Sequence, residues 1–288
     1  MEKIRYNIKI NIRRERRPRR SAENLTSMGK FSEFQRYCCL RRRNTRDGVP
    51  YGCVYDIAPV GEARGDGGRT MYDTILFDLD GTLTDSGLGI TKAVQYALGQ
   101  MGYAVPPRES LFSFIGPPLH KSFQKYYGMD EATSVEAVRQ FRVYYNQMGG
   151  ILENEVYPGI RELLRDLKAA GKRLVIATSK PQAAAEKVMQ HFGLDEFVPE
   201  IIGGTDDPER NTKGKVIAFG LRKYGVDPKT AIMVGDREHD ILGAAENGIS
   251  AIGITWGYGD REELERAGAK AVLDTPEETV QYILRGSY

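Results

Sequence analysis

The sequence predicts an α/β protein, a parallel sheet with helices on both faces, interrupted once by an inserted helical unit. Three observations predict it. Short runs of aliphatic and β-branched residues recur at 75–78, 173–178, 197–202, 231–236 and 249–254. Segments with the three-to-four spacing of amphipathic helices separate the later runs, and near-continuous apolar strands linked by helices imply a parallel sheet covered on both faces. The first interval is anomalous: 95 residues lead from Asp78 to Arg173, whereas one crossover helix needs far fewer.

Taken in order, the run at 75–78 (ILFD) opens the sheet and ends on a glycine turn at Gly81. Within the long interval, 88–101, 119–127 and 131–148 read as helices. They are punctuated by Pro106-Pro107, Gly116-Pro117-Pro118 and Gly149-Gly150, and the chain returns through Tyr157-Pro158-Gly159. Helical segments at 159–170, 181–191, 213–224 and 238–246 then alternate with the remaining strands. The first of them places Ile160, Leu163, Leu164 and Leu167 on one face. The expected organisation is a sheet-and-helix core over 71–86 and 158–288, a helical cap over 87–157, and a separate stretch over 1–70.

That front stretch differs in composition. It holds 17 Lys/Arg against 8 Asp/Glu, whereas 71–288 holds 24 against 31, so the formal net charge of +2 hides two opposite halves. Dense arginine, as in RRERRPRR at 13–20, can attract phosphate backbones. It is equally the composition of a disordered tail. A third reading, ranked first, places the start of translation at Met71, where the composition changes and a strand begins at once. All three cysteines, Cys38, Cys39 and Cys53, lie in the front stretch. The body therefore has no possible disulfide and no cysteine metal site, which fits a reducing cytoplasm. No run approaches the roughly 18 apolar residues of a membrane span.

The chemistry gathers at strand ends, where open α/β sheets bind ligands. Asp78 and Asp80 straddle the end of the first strand. Thr178 and Ser179 close the second, Asp236 closes a later one, and Asp240 follows one helical turn on. A carboxylate cluster with little cationic compensation predicts a divalent metal, and oxygen-only ligands suit Mg²⁺. Asp78, Asp80, Asp236 and Asp240 are the candidate metal residues, Asp240 either as a direct ligand or through a water. Lys213, opening a helix, is the expected counter-charge, with Lys180 and Lys215 as rivals. Such a set suits phosphoryl transfer, with Asp78 as nucleophile, Asp80 as acid and base, and Thr178 and Lys213 stabilising the transferring group.

FDLDGT at 77–82, IATS at 176–179, Lys213 and VGDREHD at 234–240 resemble, in order, the four motifs of the haloacid dehalogenase superfamily of phosphohydrolases. The resemblance covers 71–288. It implies a Rossmann-like core, an α-helical cap inserted after the first motif, Mg²⁺, and an aspartyl-phosphate intermediate. It further implies that Asp80 gives its main-chain carbonyl to the metal while its side chain moves protons. Gly81, Thr82, Ser179 and Lys180 are then expected beside the phosphate, and Ile115, Gly116, Lys121 and Arg142 on the cap side of the substrate.

The third motif lacks the KPxP of phosphoglycolate phosphatases. With FIGPPL at 114–119 and GDREHDILGA, it resembles the bacterial 5′-nucleotidase-like branch. The expected partner is a small phosphorylated metabolite, best a nucleoside 5′-monophosphate, with phosphoglycolate hydrolysis or a phosphoglucomutase-type isomerisation as alternatives. No membrane partner is expected, a nucleic-acid-binding role for the basic arm ranks behind the enzyme, and the assembly is a monomer or a homodimer. Asp80 argues against a dehalogenase, and a kinase is disfavoured because no GxxxxGK[ST] loop is present. The scattered His120, His191 and His239 receive no role. Trp256 and Tyr258 read as core or rim.

Overall fold

The computed structural model describes residues 72–205 and 207–285. The basic stretch and the Met71 start both lie outside them. Six strands form one parallel sheet: β1 (Thr74–Phe77), β4 (Arg173–Pro181), β5 (Glu200–Gly204), β6 (Ala231–Gly235), β7 (Ser250–Ile254) and β8 (Val272–Leu273). Their spatial order is β5-β4-β1-β6-β7-β8. From β1 the chain winds outwards to β4 and β5, then returns to the other side of β1 for β6. The crevice beyond the carboxyl end of β1 is thus the topological switch point.

Alternation along β1 divides the core between the two faces of the sheet. Ile75 and Phe77 pack with Leu163, Leu164 and Leu167 of α4 (Ile160–Ala169), Val188 and Met189 of α5 (Gln182–His191) and Ile283 of α9 (Pro276–Arg285). Leu76 points the other way, to Val216 and Ile217 of α6 (Lys213–Tyr224), Ile241 and Ala244 of α7 (Glu238–Glu246) and Leu264 of α8 (Arg261–Arg266). This is the two-sided burial expected of a parallel sheet.

The long interval is helical, with α1 (Gly87–Gln100), α2 (Leu119–Tyr127), α3 (Glu131–Arg142) and a 3₁₀ segment at Arg108–Phe114. It leaves and re-enters the sheet through a two-stranded antiparallel ribbon, β2 (Thr84–Asp85) with β3 (Glu155–Val156).

Three boundaries depart from the sequence expectation. The third strand runs over Glu200–Gly204 rather than 197–202, because the amides of Phe197 and Val198 turn back to bond the Leu194 carbonyl. The helix expected over 131–148 stops at Arg142 and continues as a π turn, Val143–Gln147. β4 runs on past 178 to Pro181, with a register shift between Thr178 and Pro181. Among the described residues no helix is long and apolar enough to cross a membrane.

Candidate active site

The motif after β1 folds into a tight turn. The Leu79 carbonyl accepts from the amides of Thr82, Leu83 and Thr84, and Gly81 N donates to the Thr84 carbonyl at 2.8 Å. Gly81 has φ of 87°, a region that side chains avoid, and a Cβ there would lie 2.2 Å from Asp236 Oδ2. Glycine is therefore required both by the turn and by the carboxylate it faces.

Asp78, Asp236 and Asp240 are all buried, and one oxygen from each lies within 4.8 Å of the others. The Lys213 ammonium reaches into this cluster from the first turn of α6. It stands 2.7 Å from Asp78 Oδ1 and 2.8 Å from Asp240 Oδ1, and donates to the Ala177 carbonyl at 3.1 Å. Asp236 accepts from Thr82 Oγ1 at 3.3 Å and from Tyr258 N at 2.8 Å. Asp240 Oδ2 caps α7 by accepting from Arg237 N at 3.1 Å.

Burial pulls the Lys213 pKa down, but the charges of Asp240 and Asp78 outweigh it and leave the group raised above its ordinary value. Burial, together with the charges of Asp240 and Asp78, pushes Asp236 up to about 8. Burial likewise raises Asp240 to about 6 against the opposing pull of Lys213. Three buried carboxylates lie together, and the Lys213 ammonium pairs with two of them, Asp78 and Asp240. All-oxygen ligands and a charge deficit fit a divalent cation.

Asp80 is held apart from that cluster. Both its oxygens accept from Lys180 Nζ, at 3.0 and 2.9 Å, and the same ammonium donates to the hydroxyl of Tyr145 in the π turn. Burial lowers the Lys180 pKa, while the Asp80 charge and Tyr145 raise it further, so the net shift is upward. The Thr178 hydroxyl, fully buried, accepts from Lys180 N at 3.2 Å.

The remaining candidates fall into two groups. Gly116, Lys121, Ser179 and Lys213 line one cavity of about 340 Å³, bounded on the insert side by Pro117, Pro118 and Tyr126. Ile115 is buried, and its carbonyl accepts from Arg237 Nη1 at 2.8 Å. Arg142, in contrast, sits exposed at the end of α3 and is not part of the cavity wall. Lys215 points away, to the Pro208 carbonyl and Asn211 Oδ1.

Some residues at the site have no role there assigned from the sequence, in which His239 receives none and Trp256 reads as core or rim. Arg237 spans from Glu263, at 2.8 Å, to the insert. His239 and Leu242 line the cavity wall opposite α2. Trp256 Nε1 donates to the Thr82 carbonyl at 3.0 Å, locking the motif turn. Arg237 and His239 stand inside GDREHD, so their proximity to the site was legible. Their direction was not.

A family model described as haloacid dehalogenase-like hydrolase matches residues 75–254. The chain belongs to that family. Among curated relatives of this hydrolase, a 5′-nucleotidase from Pseudomonas aeruginosa is 44% identical over 193 residues, covering 67% of this chain and 87% of the relative. A tyrosine-protein kinase, PtkA, from Mycobacterium tuberculosis is 37% identical over 198 residues, covering 69% and 67%. Among solved structures, a predicted phosphatase from Clostridium acetobutylicum superposes with a TM-score of 0.72 at 42% identity, covering 75% of this hydrolase and 99% of that chain. The hydrolase class and the parallel sheet expected from the sequence are those of the chain.

Proposed function

We propose that this haloacid dehalogenase-like phosphatase is Mg²⁺-dependent and removes phosphate from a nucleoside 5′-monophosphate through an aspartyl phosphate on Asp78. The observation that carries the reading is the convergence of Asp78, Asp236 and Asp240 within 4.8 Å at the switch point, with the Lys213 ammonium paired to Asp78 and Asp240. The side chains of Asp78, Asp236 and Asp240 and the main-chain carbonyl of Asp80 would hold the ion. Mg²⁺ would there cancel the surplus carboxylate charge and draw charge from the phosphoryl oxygens.

Asp78 attacks phosphorus while the P–O bond to the leaving alkoxide breaks, and Asp80, which must enter this step protonated, gives its proton to that oxygen. Asp80 then takes a proton from water as the water attacks the phosphorus of the acyl phosphate, releasing inorganic phosphate and regenerating Asp78. Lys213 and Thr178 stabilise the equatorial oxygens through both steps. Residues 87–157 act as a cap that excludes water and orients the leaving group.

The cavity supports the nucleoside reading. At about 340 Å³, with Pro117, Pro118, Tyr126 and Leu242 as apolar walls and Lys121, Lys125, Glu238 and Glu246 as polar ones, it suits a ring-bearing leaving group better than a two-carbon acid. The 44% identity to a protein named 5′-nucleotidase supports the same choice. The relative named tyrosine-protein kinase favours a second reading, in which the phosphoryl group passes from Asp78 to a tyrosine hydroxyl instead of water.

The test is a phosphate-release screen of the full chain with Mg²⁺ against nucleoside monophosphates, phosphoglycolate, sugar phosphates and phosphotyrosine, with Asp78→Asn as control. Nucleoside monophosphates are expected to be turned over fastest. Preference for phosphoglycolate would overturn the substrate, and release undiminished in Asp78→Asn would overturn the mechanism. Conversion of a sugar 1-phosphate to its 6-phosphate without free phosphate would instead identify a mutase.

A further inference from the structure

Tyr145 stands in an unusual place for a residue of the helical insert. Its ring is buried against Phe141, with centroids 5.1 Å apart. Its hydroxyl reaches across to the core to accept from Lys180 Nζ, and the same ammonium lies 4.8 Å from the centroid of its ring. Lys180 is buried and has both oxygens of Asp80 as its other partners.

The local backbone explains how Tyr145 gets there. α3 does not continue through Arg142 but widens into the π turn Val143–Gln147, a feature that recurs at functional sites because it re-aims one side chain. Its neighbour Tyr144 goes elsewhere, to Glu153 at 3.3 Å and to the ring of Tyr96.

We infer that Tyr145 is a positioning residue for the reaction: from the insert it orients Lys180, and through Lys180 it orients the Asp80 carboxyl toward the leaving-group oxygen. The inference rests on the phosphatase reading above. Lys180 spans both Asp80 oxygens, so the direction of its Nζ fixes the plane of that carboxyl group. Tyr145 is the one partner of that ammonium contributed by the insert among its hydrogen bonds to described residues. The acid is consequently aligned only while the insert lies against the core. Proton donation is thereby tied to closure, and attack by Asp78, which Lys213 sets from the opposite side, is not. Arg237, which donates to the Ile115 carbonyl, holds the insert at a second point without touching Asp80.

The substitution Tyr145→Phe separates this role from packing, because it keeps the ring beneath the ammonium and removes only the hydroxyl. The readout is kcat/KM, which covers steps up to departure of the leaving group. It is measured for a primary alkyl phosphate (a nucleoside 5′-monophosphate, or phosphoglycolate if the screen prefers it) and for p-nitrophenyl phosphate. The alkoxide needs protonation as it leaves and p-nitrophenolate does not. The expected result is a fall of about tenfold on the alkyl phosphate, a fraction of what general acid catalysis contributes. The fall is expected in kcat with KM unchanged, and the change on p-nitrophenyl phosphate is expected to be under about twofold. The p-nitrophenyl arm also reports that the variant is folded. An equal fall on both substrates, or none on either, would overturn the inference. Failure of the unaltered chain to release phosphate would overturn the function on which it rests.

Discussion

Two buried ion clusters flank the end of β1, and they are balanced differently. On one side, three carboxylates lie together, and the ammonium of Lys213 pairs with two of them, Asp78 and Asp240, while Asp236 accepts from Thr82 and Tyr258. On the other, Asp80 has Lys180 to itself, and Lys180 is tied to the insert through Tyr145. The first cluster carries an excess of negative charge, which on the proposed reading receives a cation and then a phosphoryl group. The second is neutral as it stands and answers to the position of the insert. Two carboxylates two residues apart in DLD are thus given separate work by the lysines that meet them.

The largest expected effect breaks the first cluster at its nucleophile. Asp78→Asn should lower kcat by about 10⁴-fold or more, because the amide cannot attack phosphorus. Circular dichroism is expected to show the fold retained.

A second experiment sharpens the claim that this cluster is short of positive charge. Mg²⁺ at about a hundred times its dissociation constant should stabilise the folded chain by about 2.7 kcal/mol, read as a higher thermal midpoint. Asp236→Asn should abolish that rise and lift the metal-free midpoint. In chelator, wild-type stability should also depend on pH. The folded Asp236 is raised to about 8, so between its unfolded value of about 4 and that point the native state binds more protons than the unfolded one. The contribution is full below the unfolded pKa and is lost as pH rises through about 8. A chelator-treated protein whose stability is flat across that window would show that the cluster is already balanced.

Gly81→Ala strikes the turn that brings both clusters together. With φ of 87° and Asp236 Oδ2 at 2.2 Å from the added Cβ, a loss of about 1–3 kcal/mol is expected in urea unfolding. Activity should fall with it.

A smaller effect belongs to the insert. Arg237→Ala removes the donor to the Ile115 carbonyl and leaves Glu263 without its arginine. About 1–2 kcal/mol of stability should go, and proteolytic cleavage in the loop at 115–118 should quicken. Arg142→Ala, exposed and off the cavity wall, is expected to leave kcat and KM unchanged. A changed KM would place Arg142 at the substrate after all.

Much of the first cluster was legible in the sequence because each of its members sits at the end of an apolar strand or the start of the following helix, where the backbone path is set by local pattern. Asp78, Asp236 and Lys213 needed only the order of elements to be brought together. The second cluster was not legible in the same way. Lys180 turns inward to Asp80 at an irregular end of β4, while Lys215 turns out to Pro208 and Asn211, and no periodicity announces either direction. Tyr145 lies in a stretch, QFRVYYNQM, that reads as continuous helix. Only the π turn decides which of the two adjacent tyrosines faces Lys180. The ribbon of β2 with β3 escaped notice because two-residue strands are too short to show alternation.

The central claim is that Asp78 is the phosphoryl acceptor and Asp80 the group that moves protons. Asp80→Asn mixed with Mg²⁺ and p-nitrophenyl phosphate, quenched in acid and digested, tests it most directly by mass spectrometry. The leaving group needs no acid, while hydrolysis of the acyl phosphate lacks its base, so a phosphoryl adduct should accumulate on the peptide that contains Asp78. Release of p-nitrophenolate with no adduct on that peptide, or with the adduct on another residue, would contradict the account.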